Sequence, residues 1–103
     1  MTTAIEMADV MFRVSRNDKT DVYALFPGIS GGVGKPWECT TYAHVGQHSS
    51  ADLKGCIEAS RPATPEEYAP LKAELERRGY ALNPVQRATG KHFAARVRQL
   101  THT

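Results

Sequence analysis

Four side chains able to hold a soft metal or to do thiol chemistry fall close together, Cys39, His44, His48 and Cys56, in the spacing C-x4-H-x3-H-x7-C. Two thiols and two imidazoles make a chemically complete tetrahedral set for zinc. The spacing opposes that use. There is no close C-x2-C pair to nucleate a site. Cys39 and His44 are an odd number of residues apart, so along a regular strand they face opposite sides unless a bulge intervenes. Cys56 also falls in an apolar stripe with Leu53 and Ile57, where a free cysteine serves as a small hydrophobe. The same residues could instead make a nucleophile, with either cysteine as thiolate, His44 or His48 as base and Asp52 orienting the ring. That chemistry needs thiol–imidazole contact in an electropositive setting. The simpler expectation is that Gly46-Gln47-His48-Ser49 ties a strand end to a helix cap, with no catalytic residue, no metal and no cofactor.

A second candidate is the glycine-rich run Gly28-Ile29-Ser30-Gly31-Gly32-Val33-Gly34-Lys35. A phosphate-binding loop needs glycine five positions before the Gly-Lys pair and a hydroxyl after it. Position 29 is isoleucine and position 36 is proline, so nucleotide hydrolysis by such a loop is excluded. A third candidate is the C-terminal segment. Residues 1–80 carry nine Lys/Arg against eleven Asp/Glu, whereas residues 81–103 carry Arg87, Lys91, Arg96 and Arg98 and no acid. Such a segment could hold nucleic-acid phosphates, dock on a partner or simply face water.

The elements that position these residues are read from periodicity and punctuation. Val10–Ser15 and Asp21–Phe26 alternate about the polar turn Arg16-Asn17-Asp18-Lys19-Thr20, the pattern of a β-hairpin. Pro27–Pro36 is expected to be a mobile connection, and Trp37–His44 a third strand. Val45–His48 turns the chain, and Ser49 is expected to cap a short helix over about 50–59. Thr64, Pro65 and Glu67 spell an N-cap, a first-turn proline and a capping box. Tyr68, Leu71 and Leu75 then form one helical face, Pro70 is expected to bend the first turns, and Gly79 supplies the left-handed exit. Tyr80–Asn83 starts a fourth strand. Phe93, Val97 and Leu100 recur at helical spacing, allowing a short basic amphipathic helix whose apolar side, Phe93 included, packs inward.

The expected fold is α+β, a mainly antiparallel sheet of three to four strands in the order β-β-β-α-α-β with one or two helices on one face. The expected organisation is a flexible N-terminus over 1–9, one domain over 10–88, and a basic tail or short helix over 89–103. The expected core is Phe12, Val14, Val22, Ala24, Phe26, Leu53, Ile57, Leu71 and Leu75. With 103 residues, 41% hydrophobic and 23% charged, the composition is that of one globular domain. No stretch is long and apolar enough to span a bilayer. The first residues show no basic-then-apolar leader, so a cytoplasmic setting with reduced thiols is expected.

Three segments, Tyr42–Asp52 (YAHVGQHSSAD), Arg61–Tyr68 (RPATPEEY) and the Gly79-Tyr80 helix exit, give the chain a family resemblance over roughly residues 10–85. It resembles a group of small uncharacterised bacterial proteins found on phages, plasmids and other mobile DNA. The resemblance implies a bacterial setting and the domain boundary, and it carries no activity or catalytic residue. What remains is the expectation of a non-enzymatic accessory domain that binds a protein partner. Trp37, Tyr42, Tyr23 and Tyr68 are its candidate anchors, because aromatic side chains dominate interface energetics.

Overall fold

The computed structural model describes residues 7–32, 34–43 and 47–101. Their order is β1 (Ala8–Ser15), β2 (Val22–Ser30), β3 (Glu38–Ala43), β4 (Gln47–Asp52), α1 (Leu53–Glu58), β5 (Ser60–Pro62), α2 (Pro65–Arg77), β6 (Leu82–Pro84) and α3 (Gly90–Thr101). The class is α+β, with more strands than the sequence pattern marks. β4, β3, β2, β1 and β5 lie side by side as antiparallel neighbours, and β6 joins the sheet parallel to β1.

β1 organises the sheet. One edge pairs with β2, Phe12 opposite Ala24. The other edge is divided, its later half taking β5 through Arg13, Val14 and Ser15, its earlier half taking β6 through Ala8, Asp9 and Val10. Residues 8 and 9, expected to be flexible, are therefore held in the sheet. Pro84 closes this pairing at little cost, because an outermost strand needs no donor on its solvent side.

The expectation of helices on one face is corrected. Val10, Phe12, Val14, Ala24, Phe26 and Tyr42 meet Leu71 and Leu75 of α2 on one side of the sheet. Met11, Leu25 and Cys39 meet Leu53, Cys56 and Ile57 of α1 on the other. Both alternating sets of β1 and β2 are thus buried, since Met11 and Leu25 are as covered as Phe12 and Ala24. Of the expected core, Val22 and Ile57 are only half-buried and the rest are buried. A buried cation stands on the α1 side: Arg13 donates to Ser60 Oγ at 2.8 Å and to the carbonyls of Ile57 and Ser60 at 3.0 and 2.9 Å. Three acceptors offset the cost of taking a guanidinium out of water.

Two local expectations fail. Ser49 does not cap a helix, because residues 47–52 extend as β4 and the helix starts at Leu53 behind Asp52, whose side chain makes no capping bond. The polar run Gln-His-Ser-Ser-Ala-Asp lacks apolar alternation, yet an edge strand needs only backbone pairing with β3. Nor is Pro27–Pro36 a connection throughout. β2 runs on to Ser30, with an irregularity in its pairing to β3 between Phe26 and Ser30. Gly31 suits a close approach there, since a Cβ would fall 2.6 Å from that of Ser50.

The α2 signals hold. Thr64 Oγ1 accepts from the Glu67 amide, the Glu67 carboxylate accepts from the Thr64 amide at 2.9 Å, and Gly79 takes φ +99°. The helix runs from Pro65 through Pro70 to Arg77. Arg61 also grips the Glu67 carboxylate, at 2.9 and 2.7 Å. Together these bonds, the Arg61 contact first, hold Glu67 down to about pKa 2. A carboxylate depressed on folding stabilises fully above its unfolded value and loses that contribution as pH falls through the folded one. The stability gap between wild type and Glu67→Gln is therefore expected in full at neutral pH and to shrink as pH falls from about 4.5 toward about 2 in thermal melts. A gap unchanged between pH 7 and pH 2 would contradict the assignment.

Candidate functional site

α3 docks in an unexpected orientation. His92, Arg96 and Gln99, at i, i+4 and i+7, share one helical stripe, and this polar stripe faces the sheet. The reason lies in β2. Beyond Phe26 its regular pairing lapses, leaving carbonyls and an amide that need partners. Gln99 acts as a substitute peptide group, its Nε2 donating to Gly28 O and its Oε1 accepting from the Ser30 amide, both at 2.7 Å. Arg96, only 5% exposed, donates through Nε to Pro36 O at 2.8 Å and through Nη1 to Pro27 O.

His92 completes the latch. The Thr89 amide donates to its Nδ1 at 3.0 Å, which leaves the ring proton on Nε2 to reach Asp9 at 2.8 Å. In doing so His92 replaces the glutamate of a capping box at the start of α3. Asp9 also accepts from Asn83 at 2.8 Å. These bonds, His92 before Asn83, hold the Asp9 carboxyl below its ordinary value.

With its polar stripe spent on the sheet, α3 turns its apolar residues aside. Phe93 is 49% exposed, and Val97 and Leu100 are half-buried. The inward-packing expectation for Phe93 is corrected: the ring lies against the Arg96 guanidinium, 5.5 Å from its centroid, beside a groove toward α1. Trp37, Leu53, Ile57, Ala88 and Phe93 supply the apolar lining of this open groove of about 440 Å³, with Lys54 and Glu58 on its α1 side. Trp37 is 54% exposed. Its backbone is clamped on both sides, because Trp37 O accepts from the Leu53 amide at 3.1 Å and Pro36 O accepts from Arg96. An exposed indole on a fixed backbone loses little freedom when it is covered.

The other expected anchors lie elsewhere. Tyr42 is fully buried and donates to the Glu74 carboxylate. Tyr23 is half-buried and its hydroxyl donates to Cys56 O at 3.2 Å. Tyr68 stacks on Phe12 with centroids 4.3 Å apart. Of the four aromatics, Trp37 alone belongs to the groove. Phe93 is hidden in the sequence because its stripe resembles a core stripe; the competing signal is the i, i+4, i+7 run His92, Arg96 and Gln99.

The basic segment divides too. Arg96 faces the protein interior and is unavailable to phosphates, whereas Arg87, Lys91 and Arg98 are exposed. Of the Cys/His set, His44 lies outside the described residues, and His48 is placed only by its backbone pairing with Tyr42. Cys39 and Cys56 both pack in the apolar cluster on the α1 side. Among the described residues, no three His, Cys, Asp or Glu side chains gather as metal ligands do. Burial pushes the Cys39 thiol up to about 11 and raises Cys56 as well, the opposite of an activated nucleophile. Iodoacetamide at pH 8 is therefore expected to leave Cys39 unmodified in the folded protein and to alkylate it once urea unfolds the chain. Rapid alkylation of folded Cys39, read by peptide mass, would contradict this.

No helix among the described residues is long and apolar enough to cross a membrane. Compared with protein-family models, curated proteins and solved structures, the chain matches none.

Proposed function

We propose that this chain is a non-enzymatic binding domain whose working surface for a protein partner is the groove between α1 and α3. One observation carries the reading: α3 spends its polar stripe on the sheet and leaves its apolar stripe beside the exposed Trp37. A helix that only completed a fold would bury Phe93 and present His92, Arg96 and Gln99 to water. Clustered, half-exposed aromatics on a clamped backbone match the anchors of protein interfaces. The raised thiols and the absence of a gathered ligand set among the described residues give catalysis no comparable support.

Site-specific photo-crosslinking tests this. A benzophenone side chain at position 93 in the full chain is expected to give discrete protein adducts in cells. The same group at Ala69, exposed on α2, is expected to give none. Equal yields from both positions, or none from position 93, would overturn the proposal.

A further inference from the structure

We infer that the occupant of this groove is a second copy of the chain, packed about a two-fold axis passing near the middle of α1. The inference rests on the groove being the binding surface and names what fills it. Two-fold association requires one surface that complements itself, so each charge must meet its opposite when the surface is rotated. α1 meets that requirement. Leu53 and Ile57 form one row on the groove, and Lys54 and Glu58, also four apart, form a second, exposed row of opposite sign. Neither Lys54 nor Glu58 makes an ion pair among the described residues. When two α1 helices cross antiparallel, Lys54 of each copy meets Glu58 of the other, and the half-buried Ile57 side chains of the two copies approach one another. Trp37 beside the row then covers the partner's groove as its own groove is covered. The formal net charge of only +2 opposes such pairing weakly.

The chain carries a single tryptophan, so its emission reports this surface directly. Sedimentation velocity and Trp37 emission are followed on the full chain from low micromolar to millimolar concentration. The expected result is a monomer–dimer transition accompanied, over the same range, by a blue shift of the emission. Lys54→Glu alone and Glu58→Lys alone are each expected to weaken association by about tenfold, because two attractive contacts become repulsive. The double exchange Lys54→Glu with Glu58→Lys restores the opposite-sign pairs and should return association to the wild-type range. Both positions are exposed and unpaired, so these variants keep the fold, which circular dichroism checks. A monomer at every concentration overturns the inference. So does a dimer whose Trp37 emission does not move, or one indifferent to the single exchanges, since either would form through another surface. If the protein stays monomeric while position 93 still cross-links to a different protein, self-association falls and the groove remains the binding surface.

Discussion

Leu75→Ala is expected to destabilise the protein by about 3–4 kcal/mol, measured by urea unfolding of both chains. Leu75 is fully buried at the centre of the cluster that joins α2 to Val10, Phe12, Phe26 and Tyr42. Three constraints keep that site from collapsing around a smaller side chain. The capping box fixes the start of α2, Arg61 ties the same end through Glu67, and Tyr80 N donates back to Leu75 O at 3.2 Å. A cavity that cannot close forfeits both the transfer free energy and the lost contacts. For a domain of this size the same loss lowers the melting temperature by more than ten degrees, at about 4–8 °C per kcal/mol. A measured change under about 1 kcal/mol would mean that α2 does not rest on the sheet through this residue.

Arg96→Ala is expected to be comparably severe, at about 2–4 kcal/mol. The substitution removes the donors serving Pro27 O and Pro36 O. It leaves two carbonyls without these donors, Pro27 O where β2 departs from the regular ladder and Pro36 O in the connection to β3. Arg96→Lys should recover little, because one ammonium cannot reproduce a planar fork that reaches two separate carbonyls. Lys91→Ala, on an exposed position of the same helix, is the control and should change stability by less than about 0.5 kcal/mol. Equal effects at 91 and 96 would show that α3 is a loosely held tail. By the same physics a cut after Ala88 is expected to harm the fold. Such a cut would strip β2 of its substitute partners.

What could be read beforehand followed from how local each signal was. Thr64, Pro65, Glu67 and Gly79 act within a few residues of themselves, and α2 stands where they place it. Alternation over Val10–Ser15 and Asp21–Phe26 gave the hairpin but not that both its faces are covered, since Met11 and Leu25 look the same whether they meet water or α1. β4 was illegible because an outermost strand is stabilised through its backbone and its side chains need no pattern. The site was half legible. Trp37 stands out in the sequence as a large aromatic, whereas the apolar spacing of Phe93 points inward and carries no trace of the demands of β2. Proline at position 27 removes a donor and precedes the pairing irregularity, and polar residues at i, i+4 and i+7 in the last helix answer the groups left over. Those two facts lie 69 residues apart in the chain, beyond the reach of any window-based pattern.

The divided outer edge of β1 also bears on the order in which a growing chain can acquire structure. The meander β1 to β4 can pair as soon as its residues have been synthesised, because each strand neighbours the next in sequence. β1 then waits. Its remaining edge is filled only when residues 60–62 and 82–84 arrive, and until then a strand apolar on both faces stands with unsatisfied amides and carbonyls. During translation β1, which precedes the other described strands, thus waits longest for its second edge. The interval between the appearance of Phe26 and that of Pro84 is when this protein most needs protection from pairing with its neighbours.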